Sequence, residues 1–322
     1  MKRASTCLLL LLMLAAGHAP AVSTATITKP LGIPADESTV AYDVNPRGQV
    51  AAVVEDDDGR KHAVLFEKGR VTPLGTLGGD YSESRAINRG GQVTGAAQDS
   101  DGRWRAFLYE RAGGMRDLGT LGGPGSFGMA INETGHGAGD ADHLERDYRA
   151  FLYNGTGALI DLGTLGGKIS YAAGLNNVGQ VVGTATQSSN FRHAFVWDAT
   201  RGMVDLGTLG GRQSSATAIN DAGVIVGASE MPNRRWHAFL HDGTRMVDLG
   251  AMIGYGSSYA TDINNAGHVV GTVLAAGGER RSFVWRDGKM TIHSGGKGLH
   301  LTNSINDVEQ VAGATYGRKL EA

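Results

Sequence analysis

Apolar positions in this chain come in short runs separated by Gly, Asn, Asp or Pro. Beyond the first 25 residues no segment carries a sustained 3.6-residue apolar stripe. The pattern predicts short strands and argues against helical repeats. Residues 215–250 show it most cleanly, with runs at 216–220, 224–229, 237–241 and 246–249. The stretch A-I-N-x-x-G-x-V-x-G inside this unit recurs along the chain. Its Asn falls at Asn45, Asn88, Asn132, Asn176, Asn220, Asn264 and Asn306, at intervals of 43, 44, 44, 44, 44 and 42. A period of about 40–45 residues holding four strands is that of one β-propeller blade.

The connections carry fitting turn chemistry. In Asn220-Asp221-Ala222-Gly223 the Asn side chain can cap a turn, and Gly supplies the positive φ needed to enter the second strand. Asp242-Gly243 and Asn154-Gly155 read as two-residue hairpin turns between third and fourth strands. The fourth strand ends in L-G-T-L-G-G at residues 118–123, 162–167 and 206–211, where paired glycines let the chain cross to the next blade.

The H-A-F runs at 193–195 and 237–239, taken with the A-I-N-x-x-G-x-V-x-G and D-L-G-T-L-G-G segments, resemble the HAF-repeat family of extracellular repeat proteins. The resemblance covers nearly all of the chain after residue 25 and implies export and a repeat fold, but no settled activity. The order of strands is also similar to the WD-repeat layout, without its Gly-His pair or regular Trp-Asp. The ends suggest the closure. Residues 26–32 (TITKPLG) look like a fourth strand, while the chain ends with a partial copy and the stub Gly317-Arg318-Lys319, which resembles the start of a third strand. The expected fold is therefore all-β, a propeller of seven four-stranded blades whose last blade takes its outer strand from the N-terminus. An open β-solenoid is the alternative.

Met1-Lys2-Arg3 and the apolar run from Cys7 to Ala16 read as a secretory signal peptide over residues 1–25, cleaved after Ala21 or Ala25. Residues 26–322 then form one domain with no thiol, since Cys7 is the only cysteine. Without Lys2 and Arg3 there are 28 basic and 32 acidic residues, a net charge of −4. A mildly acidic, mixed surface argues against nucleic acid as a partner. The mature chain has no transmembrane segment, and a monomer without cofactor is expected in the periplasm or outside the cell.

Candidate chemistry gathers on one predicted face, which holds the blade-to-blade crossings and the loops between second and third strands. The third strand begins there with a recurring His or Arg: His62, Arg105, Arg149, His193, His237 and Arg281. Separations of 12 residues for Arg105/Asp117, Arg149/Asp161 and His193/Asp205, and 11 for His237/Asp248, predict directly opposed cross-strand pairs. These read first as structural. Trp104, Tyr148 and Trp236 share the register just before them, joined by Phe191 and Arg192. Together with Arg105, Arg149, His193 and His237 they are the candidate ligand-binding residues, because rigid rings beside charged groups suit stacking on sugars.

The third copy departs from the others at His136, Asp140 and Asp142, which strand alternation would place on one face as a metal or acid/base site. The carboxylates at 55–58 and Asp99/Asp101 read as turn residues more readily than as a calcium loop. No phosphate-cradling, G-x-S-x-G or H-E-x-x-H motif is present. The leading functional reading is a non-enzymatic exported propeller that binds a polysaccharide or a surface protein through its variable loops. The alternative is a polysaccharide-active enzyme, a glycosidase or lyase, which requires unpaired carboxylates such as Asp140, Asp142 and Glu230 to converge.

Overall fold

The computed structural model describes residues 5–11, 27–30, 38–144, 147–254, 256–275, 277–293 and 301–316. The chain is an all-β propeller. Six blades are four-stranded antiparallel sheets, each continuous in sequence: blade 1 (38–73), blade 2 (78–117), blade 3 (122–161), blade 4 (166–205), blade 5 (214–248) and blade 6 (257–293). In blade 4 the strands are Gly166–Leu175, Val181–Gln187, Arg192–Asp198 and Gly202–Asp205. The innermost strand of each blade carries a register shift near its end, between Ala172 and Gly174 in blade 4, which turns one residue per blade toward the central axis.

The repeated residues are explained by contacts between neighbours. The Phe that ends each H-A-F or R-A-F run (Phe107, Phe151, Phe195, Phe239) is fully buried, at 0% exposure. Its room comes from the Gly of V-x-G. A Cβ on Gly183 would lie 2.0 Å from the Tyr171 carbonyl oxygen and 3.0 Å from the Phe195 ring. The Ala of H-A-F serves through its backbone: Ala194 donates its N–H to Ser214 Oγ of the next blade (2.9 Å), and that hydroxyl donates to the Gly207 carbonyl of the crossing (2.5 Å). The same serine link recurs from Ala63 to Ser82, Ala106 to Ser126, Ala150 to Ser170 and Ala238 to Ser258.

The repeated Asn does more than cap its own turn. Asn220 Oδ1 accepts the N–H groups of Ala222 and Val224, while its Nδ2 donates to the carbonyl of Asn264 in the next blade at 3.2 Å. Each of the seven Asn residues donates to the next one's carbonyl, and Asn306 returns to Asn45 at 2.9 Å. Two further bonds cross the same seam, from Asn303 Nδ2 to the Ala41 carbonyl and from Ser304 Oγ to Asp43 Oδ1. The ring is closed by its innermost strands, which rules out the open solenoid.

The expectation of seven four-stranded repeat blades is corrected to six. The seventh repeat contributes only Leu301–Ile305 and Gln310–Tyr316, and the remaining strands of that composite sheet, Ser5–Leu11 and Ile27–Pro30, come from the N-terminal region. Ile27–Pro30 is the outermost strand, as residues 26–32 suggested, but it pairs with Ser5–Leu11, a strand from the segment read as a leader. The stub Gly317-Arg318-Lys319 lies outside the described residues. Glu309, which replaces the turn Gly, takes φ 62° and sends its carboxylate to His268 (3.0 Å) and Arg286 of blade 6. A residue unsuited to the turn thus ties the composite sheet to its neighbour.

The Asn ring predicts a graded response. Asn220→Ala removes two buried acceptor bonds and one donor bond, and should cost about 2–4 kcal/mol in chemical denaturation. Asn220→Asp keeps the acceptor side and should cost less at low pH than at neutral pH, where its charge would sit beside the Asn264 carbonyl. Loss of under about 0.5 kcal/mol for the Ala variant would mean that the ring does not hold the blades.

Candidate functional site

The crossings and the second-to-third-strand loops do gather on one face. Leu77, Leu121 and Leu165 of the crossings bridge to Asp99, His143 and Gln187 at the ends of second strands, and in blade 5 Gly211 donates to the Glu230 carbonyl. The loops themselves are tight turns. Asp56 Oδ1 accepts from Asp58 and Arg60 N–H, and Asp99 Oδ1 from Asp101 and Arg103 N–H, so these carboxylates serve as turn caps.

The recurring His and Arg are structural, but not in the expected register. Phe195 lies opposite Asp205 and Phe239 opposite Asp248, so the His two residues earlier reaches its Asp diagonally. The reason is the hairpin: in blade 5 the Asp242-Gly243 turn is a four-residue loop, with the Asp242 N–H on the Arg245 carbonyl and Asp242 Oδ1 capping Thr244 and Arg245. His193 Nδ1 still meets Asp205 at 2.9 Å, and His237 Nδ1 meets Asp248 at 2.9 Å. Arg105 instead binds Asp99 at 3.0 Å, because that turn carboxylate lies closer than Asp117, whose Oδ1 caps Gly119. His62 binds Asp56 in the same way. Arg149 and Asp161 form no ion pair; Asp161 Oδ1 caps Gly163.

The aromatic register falls at blade boundaries. Trp104 of blade 2 stacks on Phe127 of blade 3 with centroids 6.0 Å apart, Tyr148 of blade 3 meets Tyr171 of blade 4 at 5.8 Å, and Trp236 of blade 5 stacks on Tyr259 of blade 6 at 6.4 Å. Between blades 1 and 2 the same relation is an ion pair, Lys61 with Glu83 at 2.9 Å. The rings are packing elements on one side and exposed on the other, Tyr148 by 38% and Tyr259 by 37%. The Arg192 guanidinium lies over Tyr171, and Arg212 over Phe191, which is 36% exposed.

Blade 3 is the exception within the repeat. Asp140 and Asp142 lie two residues apart on Gly137–His143, with Asp142 directly opposite Tyr148. Burial, followed by the charge of Asp142, pushes the Asp140 carboxyl up to about 7, opposed only in part by the charge of Arg85. Asp140 also acts electrostatically on Tyr171, which is raised chiefly by its own burial. His136 does not join them, because it sits at the other end of the sheet beside Gly155. Glu230, two blades away, accepts the Arg212 N–H at 2.8 Å, so the three carboxylates are not brought together. Among the described residues no group of three or more His, Cys, Asp or Glu is placed to hold a metal ion.

The sequence reading missed the carboxylates of the central channel. Asp43 and Asp262 flank Ser304 and are half-buried where they line the channel, the first raised by burial and the second raised to about 7 by burial and by Asp43. Both are bound into the ring: Asp43 accepts the Ile87 N–H and Asp262 the Ile305 N–H, each from an adjacent inner strand. They stand where Ala218 and Ala130 stand in other copies, and that substitution was the available signal.

Asp140 gives a pH prediction. It loses its proton near 3.8 when unfolded and about 7 when folded, so between these values the folded state holds the extra proton and stability falls as pH rises. Asp140→Asn should therefore match the parent in stability near pH 4 and exceed it increasingly up to about pH 8, as read by thermal melts. An offset independent of pH would remove Asp140 as the titrating group.

No family model and no curated protein matches the chain. Among solved structures it is similar to a TolB candidate from Agrobacterium tumefaciens, with a TM-score of 0.56 and 12% identity over 99% of this chain and 100% of that one. It is also similar to the β-propeller domain of the Trilobed protease from Pyrococcus furiosus, described as having an open velcro topology (TM-score 0.56, 10% identity, 85% and 88% covered). A third likeness is to TolB from Acinetobacter baumannii, with a TM-score of 0.50 and 14% identity over 76% of this chain, which spans 62% of that protein's length. At these identities the likenesses establish the β-propeller fold and nothing finer. Among the described residues no helix is long and apolar enough to cross a membrane.

Proposed function

We propose that the protein is an exported, non-enzymatic propeller of the HAF-repeat kind that binds carbohydrate through its variable-loop face. The observation that carries the reading is the set of aromatic pairs at blade boundaries, each held rigid by the neighbouring blade and open on one side. A ring fixed in this way loses little entropy on binding, and its open face suits the C–H face of a sugar. Arg192 stands over Tyr171 of one pair, and Arg212 over the exposed Phe191, as hydrogen-bond donors. The enzyme reading is weakened because Glu230 is engaged by a backbone N–H apart from Asp140 and Asp142.

Export rests on the basic lead and apolar run of residues 1–25. Removal of that segment takes Ser5–Leu11 from the composite sheet but leaves every Asn–Asn contact of the ring in place. N-terminal sequencing of protein recovered outside the cytoplasm should read from Val22 or Thr26; an intact Met1 in that fraction would oppose the leader.

Binding is tested by retention on a panel of immobilised polysaccharides, with reducing-end and unsaturated-sugar assays on the eluate. Wild type should be retained without releasing product, and Trp104→Ala/Trp236→Ala should be retained at least about tenfold less while melting as a folded protein. Product release would favour the enzyme. No retention on any glycan, or retention unchanged in the double variant, would leave the rings as packing.

A further inference from the structure

Charge on the variable-loop face is segregated. The loops between second and third strands of blades 1 to 3, at 55–61, 98–104 and 142–148, with the crossings at 75–81 and 119–125, hold ten carboxylates and four basic residues. The matching loops of blades 4 to 6, at 186–192, 230–236 and 274–280, with the crossings at 163–169, 207–213 and 250–256, hold two carboxylates and six basic residues. Pairing follows the same division. On the acidic side Lys61 binds Glu83, Arg103 binds Asp101 and Arg105 binds Asp99. On the basic side Lys168, Arg192, Arg212, Arg234, Arg235 and Arg280 are all exposed, and among the described residues none of their side chains forms an ion pair.

Contacts join the basic residues of blades 4 and 5 into one surface. Lys168 gives its N–H to Thr186 Oγ1 at 2.9 Å, and Thr186 lies directly opposite Arg192. The Arg192 guanidinium stands over the Tyr171 ring, 6.0 Å from its centroid, and the exposed Phe191 ring carries the Arg212 guanidinium at 5.5 Å. The Arg212 N–H meets Glu230 at 2.8 Å. The crossing that holds Arg212 also touches the loop of blade 5, since a Cβ on Gly210 would lie 3.2 Å from Pro232 Cγ. In that loop Arg234 takes φ 65° and gives its N–H to the Met231 carbonyl, so a tight turn holds Arg234 and Arg235. Arginines gathered without carboxylate partners repel one another, a cost to the free protein that a bound anion removes. A guanidinium lying over a ring keeps its N–H edge free, and that edge matches the paired oxygens of a carboxylate or sulfate.

We propose that the arc of blades 4 and 5 on this face binds an acidic polysaccharide, with Arg192 and Arg212 each receiving an anionic group and Phe191 lying against a sugar ring. The proposal rests on the reading of this face as carbohydrate-binding and adds the charge class of the ligand and its position. The carboxylates of loops 55–61 and 98–104 repel a polyanion and confine it to the basic arc. A straight, stiff polyanion laid across the disc would meet that acidic half, whereas a flexible glycan chain can follow the arc.

The test uses the full chain with polygalacturonate as the carboxylate probe, dextran sulfate as the sulfate probe, dextran as the neutral one, and duplex DNA as a polyanion of another class. Affinities are measured by calorimetry for wild type, Arg192→Ala/Arg212→Ala and, on the acidic half, Arg60→Ala/Arg103→Ala, each first checked by thermal melt. The expected result is binding to at least one of the two anionic polysaccharides, weakened roughly tenfold or more by Arg192→Ala/Arg212→Ala and unchanged by Arg60→Ala/Arg103→Ala. Raising the salt from about 50 to about 200 mM should weaken wild-type binding, and should weaken it less in Arg192→Ala/Arg212→Ala, a readout that a folding defect alone would not produce. Anionic polysaccharide bound equally by wild type and Arg192→Ala/Arg212→Ala overturns the position. Binding of dextran but of neither anionic polysaccharide overturns the charge class and leaves the binding face standing. DNA bound as tightly as the better polysaccharide overturns the glycan as ligand. Binding of no polysaccharide overturns both readings.

Discussion

The structure depends on one buried side chain used seven times. The Asn at the end of each innermost strand is 2–6% exposed and uses both ends of its amide: its oxygen caps the turn and its nitrogen reaches the next blade's Asn carbonyl. The inner turn therefore has a nearly fixed position relative to its neighbour. An unmade bond here would leave a buried amide or carbonyl with no water to turn to. This is the physical basis of the even spacing in sequence: the connection between Asn residues must supply four strands and return to the same point on the ring.

With the turn end fixed, the opposite face is free to vary. The chain leaves and re-enters blades there, and crossings and loops are anchored through backbone atoms, by the serine hydroxyl that links Ala194 to Gly207 and by the strand-end bridges. Anchoring through backbone leaves side-chain identity in those loops open. The His and Arg positions look like candidates for binding, yet five of the six copies that carry one tie it to a carboxylate. The informative positions are those where a copy fails to make its repeat contact.

The repeat, its strands, the ring and the two faces were legible in the sequence because each is written several times over. The strands observed in blade 5, such as Ile225–Glu230 and Trp236–His241, fall within a residue of the runs read from residues 215–250. Register was less legible. A shift of two residues, caused by an Asp242 cap that lengthens the hairpin, moved the His–Asp contact from opposed to diagonal, and alternation cannot detect a shift of two. The Asn amide's inter-blade role was hidden because one copy shows only the turn. The composite sheet was hidden for a different reason: Ser5–Leu11 reads as an apolar leader, and nothing local to it names Gln310–Tyr316 as a partner. In blade 3 the symmetry break at Asp140 was visible.

Three aspartates are held partly or wholly out of water, and burial raises all of them, but they serve differently. Asp43 and Asp262 each accept backbone N–H groups from two strands, and Ser304 between them donates to Asp43. Their oxygens are used in joining the composite sheet to blades 6 and 1, so their desolvation is offset by bonds that close the ring. Asp140 accepts no such bond, and only the Arg85 charge opposes its desolvation. A half-buried carboxyl without a hydrogen bond is a net cost to folding, and on the opposite face of the same blade His143 Nδ1 and Arg149 Nε are buried without a partner, so blade 3 gives up contacts that its neighbours make.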